Sequence, residues 1–102
     1  MNIAGGTDSL AKEHITQAVY NQSNLSSGKI TLSSAMQGLD IYNDSTVNTL
    51  TFTLKNGSNT IFSFTLNPSG NSKDSLSDEI FPPFTEIDIT GTTPLFTTIV
   101  RS

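Results

Sequence analysis

The stretch Val47-Asn48-Thr49-Leu50-Thr51-Phe52-Thr53-Leu54-Lys55-Asn56-Gly57-Ser58-Asn59-Thr60-Ile61-Phe62-Ser63-Phe64-Thr65-Leu66 decides the fold class. It alternates with a period of two on both sides of Asn56-Gly57. Leu50, Phe52 and Leu54 point one way and Thr49, Thr51 and Thr53 the other, as side chains of a half-buried strand do. Phe62, Phe64 and Leu66 share a face after the turn, with Ser63 and Thr65 opposite. Asn-Gly between two such runs is the strongest short-range hairpin signal. Parity constrains the pairing further. A two-residue Asn-Gly loop would pair Phe52 with Ile61 and put Phe62 and Phe64 on the wrong face. An odd loop, Lys55-Asn56-Gly57 with Gly57 in the left-handed region, pairs even positions with even ones. We therefore expect a three-residue loop with a glycine bulge. Burying each large apolar side chain is worth roughly 1.5–3 kcal/mol, so four of them outweigh a preference for one turn type.

Outward from the hairpin, the chain continues to read as short strands between turns. Lys29-Ile30-Thr31-Leu32 starts the strand region, Ala35-Met36-Gln37-Gly38 is ambiguous, and Leu39-Asp40-Ile41-Tyr42 is a second short strand stopped by Asn43-Asp44-Ser45. Asn67-Pro68-Ser69-Gly70-Asn71 is a turn, and its proline bars a central strand. Ser72 to Glu79 is polar and acidic. Ile80-Phe81-Pro82-Pro83-Phe84 forms an apolar corner at a double proline. Glu86-Ile87-Asp88-Ile89 alternates, isoleucines inward and carboxylates outward. Gly91 to Pro94 turns the chain into Leu95–Val100, which is apolar on both faces, Leu95 and Ile99 against Phe96 and Val100. Such a strand is central or meets a neighbouring subunit.

The N-terminal part reads differently. Gly5-Gly6 suggests a flexible leader, Thr7 offers an N-cap and Asp8 suits the first turn of a helix. Ser9 to about Gln22 is helical in pattern, with Leu10, Ile15, Ala18 and Val19 clustered on one side. A helix of this length needs a surface to dock on. The expected architecture is therefore mainly β: a small antiparallel β-sandwich or barrel of six to seven strands in residues 29–102. Residues 1–28 form an N-terminal arm carrying the helix and a polar connector, Asn21 to Gly28.

Composition excludes several functions. The chain has 102 residues and a net charge of −4, which leaves no basic footprint for nucleic acid. It has no cysteine, so neither a disulfide framework nor a thiolate metal site is available. No basic and apolar leader of the secretory kind is expected at Met1–Gly6, and no apolar run reaches the roughly 18 residues that cross a bilayer. In that light the four Asn-x-Ser sequons, at Asn21, Asn24, Asn43 and Asn56, are by-products of an Asn- and Ser-rich composition. The single histidine, His14, has Leu10 and Ala18 as its helical neighbours and reads as a plain helix-face residue. Glu86 and Asp88 share a strand face and could hold Ca²⁺ or accept Lys and Arg from a partner. No EF-hand loop accompanies them, and a solvated face is the simpler reading. The same holds for the acidic loop of Asp74, Asp78 and Glu79. No catalytic residue, cofactor or metal site is expected, and the chain reads as a non-enzyme.

The order Leu39-Asp40-Ile41-Tyr42-Asn43-Asp44-Ser45-Thr46, a Thr-rich hairpin, Asn67-Pro68-Ser69-Gly70, Phe81-Pro82-Pro83-Phe84-Thr85-Glu86-Ile87-Asp88-Ile89-Thr90 and Leu95-Phe96-Thr97-Thr98-Ile99-Val100-Arg101 resembles the small β-sandwich structural modules of tailed-bacteriophage virions. The resemblance spans about residues 39–101 and rests on turn and strand signals. It implies a virion protein made in the bacterial host cytoplasm, with a capsid decoration protein as the leading form. Neck, tail or fibre components, or a carbohydrate- or receptor-binding module, are the alternative. The implied partners are other virion proteins, the major capsid protein first, and further copies of the chain; neither nucleic acid nor membrane is among them. The candidate partner interface is Leu10, Ile15, Val19, Leu95, Phe96 and Ile99.

Overall fold

The computed structural model describes residues 16–68 and 75–102. Among them the chain forms six strands: β1 (Gln17–Asn21), β2 (Lys29–Asn43), β3 (Leu50–Asn56), β4 (Asn59–Leu66), β5 (Ser75–Thr90) and β6 (Phe96–Arg101). They make one antiparallel sheet in the order β1-β6-β2-β5-β3-β4. The mainly-β expectation holds, and the only helical element described is a 3₁₀ turn, Gln22–Asn24.

The helix expected over residues 9–22 is not supported. Residues 9–15, with Leu10, His14 and Ile15, lie outside the described residues, and Gln17–Asn21 is strand. Tertiary pairing decides the local conformation. Ala18 and Tyr20 turn towards the core while Gln17, Val19 and Asn21 turn away, and the whole segment is laid against β6. Valine and tyrosine favour that pleated setting. Asn21 then stops the strand through a capping box, its side chain taking the Ser23 N–H while Asn24 takes the Asn21 N–H.

The hairpin pairs Leu50 with Leu66, Phe52 with Phe64 and Leu54 with Phe62, the even-with-even register that parity requires. The expected Lys55-Asn56-Gly57 loop is not how the chain achieves it. Lys55 pairs with Thr60 and Asn56 with Asn59, leaving a two-residue Gly57-Ser58 turn with Gly57 at φ +63°. The register shift falls after Leu54, where Ile61 is the extra residue. The tight turn and the buried face are both kept, and a bulge on β4 reconciles them.

Two further expectations need correction. Residues 29–43 are one strand rather than two, with Ala35–Gly38 inside it. Residues 75–90 are likewise one strand, which absorbs the described end of the acidic segment and the double-proline corner. Local polarity and proline hid that continuity. Pro82 and Pro83 are tolerated because they fall between the pairs Met36–Phe84 and Gly38–Ile80, where β5 has extra residues and its ladder with β2 is broken. The long strands change partners along their length. Residues 38–43 of β2 pair with β6, and residues 86–90 of β5 pair with β3. Each of the two long strands therefore belongs to two halves of the sheet, with the irregular register between them.

Those halves share one core. Leu39, Ile41, Phe96 and Val100 come from the β6 side and Ile30, Leu50, Phe52, Leu54, Ile87 and Ile89 from the β3 side, and all belong to a single buried cluster. A bare single layer does not bring its apolar face to zero exposure, and residues of both halves reach it within that one cluster. Below the core, buried Asn43 fastens the loops. Its amide donates to the carbonyls of Asn48, Leu66 and Asn67, and its Oδ1 accepts the Ser45 N–H.

Candidate interaction surfaces

Antiparallel register places side chains in rows across the outer face of the β1-β6-β2 half. Val19 lies opposite Ile99, which lies opposite Asp40. The next row holds Gln17, Arg101, Gly38 and Ile80. Two apolar side chains stand out of this face: Val19 is 60% exposed and Ile80 79%. Ile99 is half-buried beside Val19.

Of the six candidate interface residues, the structure brings Val19 and Ile99 together as cross-strand neighbours on one outer face. Leu95 is 39% exposed just before β6. Phe96 turns the other way and is fully buried in the core, so it has no surface to offer a partner. Leu10 and Ile15 lie outside the described residues.

The same face carries an ion pair that sequence reasoning missed. Arg101 Nη2 donates to Asp40 Oδ2 at 2.7 Å, and Nη1 reaches Oδ1 at 3.4 Å. Asp40 Oδ1 also accepts the backbone N–H of Asp78 at 2.6 Å. Asp78 is at φ +55°, at an irregularity where β5 has one more residue than β2. The Asp40 carboxylate thus ties the end of β6 to the irregular stretch of β5. The Arg101 hydrogen bond holds its pKa below the usual value, against the opposing effect of its own burial. The signal available in the sequence was Asp40 set between Leu39 and Ile41 in an otherwise apolar strand pattern.

Beside the pair, Gly38 leaves a gap between Arg101 and Ile80. A Cβ at Gly38 would lie 3.2 Å from the Arg101 Cβ. The gap opens into a shallow cleft of about 430 Å³ that Asp78, Glu79 and Gln37 also line.

On the β3 side, Glu86 and Asp88 face outward as expected, but lysines of the same chain meet them. Lys29 Nζ lies 4.0 Å from Glu86 and Lys55 Nζ 3.7 Å from Asp88. Glu86 has its pKa raised, chiefly by a hydrogen bond shared with the Asp88 carboxyl. Among the described residues no group of three or more His, Cys, Asp or Glu side chains is set to hold a metal ion.

An aromatic cluster closes the other side of the core. Phe62 packs on Phe81 with ring centroids 4.8 Å apart and stacks on Phe64 at 5.8 Å. Phe52 and Phe84 lie buried beneath. Asn56 Nδ2 donates to the Pro83 carbonyl at 3.0 Å, strapping the hairpin tip over the double proline.

No family model matches the chain, and no curated protein matches it.

Proposed function

We propose that this chain is a structural virion protein of a tailed phage, most simply a capsid decoration protein, that acts by binding other virion proteins through the outer face of β1 and β6. One six-stranded antiparallel sheet around a single buried core is compatible with a small sandwich. The observation that carries the reading is the exposed Val19 set beside Ile99 on an outer sheet face, on the strand that ends the sheet among the described residues. A solvent-facing valine on an edge strand is a natural element of a protein contact. The Ser- and Thr-rich, weakly charged surface suits packing among other proteins, and the virion context comes from the sequence resemblance.

The test is quantitative mass spectrometry of purified particles from the source, with and without a Val19→Asp change. A copy number comparable to the major capsid protein, lost in the variant while the purified variant keeps its circular dichroism, is the expected result. A copy number matching one ring or one fibre moves the protein to the neck or tail. Absence of the unaltered chain from particles overturns the virion reading.

A further inference from the structure

We infer that Asn56 is a site of spontaneous covalent modification: fraying of the hairpin tip lets the Gly57 backbone nitrogen displace the Asn56 side-chain amide, and the acidic product unties the tip from the double proline. This chemistry belongs to the chain alone and is independent of any partner.

The sequence singles out the position. The chain has nine asparagines, and only Asn56 is followed by glycine. Attack by the following residue's backbone nitrogen on the side-chain carbonyl carbon closes a five-membered ring. A Cβ on that following residue crowds the approach, and glycine has none. The surroundings leave the approach open. Asn56 and Gly57 are exposed, and a Cβ placed on Gly57 would find nothing within 4 Å. Gly57 is the first of the two turn residues, at φ +63°. Among the described residues its N–H donates to no backbone carbonyl.

Two ties hold Asn56 back, and both are at the tip. Its backbone pairs with Asn59, and its Nδ2 donates to the Pro83 carbonyl at 3.0 Å. Ring closure requires the Asn56 backbone to leave the extended conformation of that pair and Nδ2 to leave Pro83. Little else resists. β5 pairs with β3 only as far as Lys55, and the bulge at Ile61 separates the last two hairpin pairs from the core-facing ladder below. Asn56, Asn59 and Thr60 are exposed, so no core side chain moves when the tip frays. Exposed ends of elements open with far less free energy than the core.

The step balances with water as its only co-reactant. The Gly57 nitrogen bonds to Asn56 Cγ, the Cγ–Nδ2 bond breaks, and the displaced proton leaves with Nδ2 as ammonia. Water then opens the succinimide ring, its hydroxyl going to a carbonyl carbon and its proton to the nitrogen. Breaking the new N–Cγ bond leaves aspartate. Breaking the original N–C bond leaves isoaspartate, whose main chain is longer by one carbon. Either product carries a carboxylate, which only accepts hydrogen bonds when ionised, in place of the amide that donates to Pro83.

Peptide mapping by mass spectrometry of the full chain, aged in mildly alkaline buffer, tests the site. Asn56 should gain the mass of an amide-to-acid change at least about tenfold faster than any other asparagine. Asn56→Gln, which would have to close a larger ring, should stay intact over the same period. Leu39→Ala separates local from global opening, because it weakens the core far from the tip. The rate at Asn56 should stay within about twofold of the wild type in that variant. Reaction through global unfolding would instead raise it about tenfold or more. Asn56→Asp supplies one product without ageing, and its thermal midpoint should lie about 2–8 °C below that of the wild type.

An Asn56 that converts no faster than the other asparagines overturns the inference. A rate that climbs with Leu39→Ala overturns the fraying route, and an Asn56→Asp chain that melts with the wild type overturns the untying of the tip.

Discussion

At the scale of single residues, Asp40 carries more than its position in a strand foretells. It is a buried carboxylate on the outer face, and its two oxygens serve the Arg101 guanidinium and the Asp78 N–H. Asp40→Asn keeps an acceptor for Asp78 but removes the charge from the ion pair. It should cost about 1–3 kcal/mol near neutral pH, measured by urea unfolding. The pH dependence has a definite sign. The folded pKa of Asp40 lies below its unfolded value, near 3.9 for a free aspartate, because of the Arg101 hydrogen bond. The folded state therefore holds fewer protons at this group than the unfolded state, and the stabilisation is present above the unfolded value. It is lost as pH falls through the folded value. The stability gap between the wild type and Asp40→Asn should accordingly close on acidification below about pH 4. A gap that stays constant down to strong acid would show that Arg101 does not favour the ionised carboxylate.

At the scale of the element, β5 shows which parts of a strand are legible. The alternation Glu86-Ile87-Asp88-Ile89 was readable, and both isoleucines are buried. Residues 75–83 were not, because their strand character comes from pairing with β2 rather than from their own pattern, and the double proline reads locally as a stop. The hairpin behaved the same way. The buried face fixed the register of Leu50, Phe52 and Leu54 against Leu66, Phe64 and Phe62. The position of the bulge, at Ile61 instead of within the turn, depended on a balance of turn and ladder energies that alternation does not encode. For the segment that contains β1, the spacing of Ile15, Ala18 and Val19 in the sequence also fits a helix, and pairing with β6 makes Gln17–Asn21 a strand.

The outward carboxylates of β5 give a prediction of opposite sign to that of Asp40. Glu86 has a folded pKa above its unfolded value, since a hydrogen bond with the Asp88 carboxyl favours its protonated form. The folded state then binds the proton more tightly than the unfolded state. Stability rises as pH is lowered through the folded pKa and levels off below the unfolded value, near 4.3. Lys29 and Lys55 stand against this, favouring the ionised form, but they contribute less. Glu86→Gln does not titrate in that window. Thermal melts of both proteins at a series of pH values should therefore show the wild type gaining on the variant as pH falls from neutral towards about 4.3. A wild type that loses ground over that range would mean that the lysines dominate and the carboxyls do not share a proton.

For the whole molecule, the sequence carried the mainly-β class but not the division into strands: it places six to seven in residues 29–102, where the described residues form five, and reads β1 as helix. Nothing in the local pattern of β2 or β5 announces that each spans two halves, because the information lies in partners far apart along the chain: β2 meets β6 at one end, and β5 meets β3 at the other. Of the candidate interface residues, Val19 and Ile99 are brought side by side on an outer face. For Phe96 the sequence was not legible, since a strand apolar on both faces does not reveal which face is the core. The shared cluster has a consequence for folding. Leu39 lies in the half that pairs with β6 and Leu54 in the half that pairs with β5 and β4, and both are fully buried in one core. If each half is the other's cover, neither half retains a hydrophobic interior when its partner opens. Leu39→Ala and Leu54→Ala should then each lower the free energy of unfolding by about 2–5 kcal/mol. Both changes should act on a single transition that fluorescence-free probes such as far-ultraviolet circular dichroism and amide exchange report together. The most protected amides of β6 and of β3 should lose protection in step in either variant, because both exchange through the same global opening. If Leu39→Ala weakens β6 while β3 keeps its wild-type protection, the halves unfold separately and the common core does not couple them.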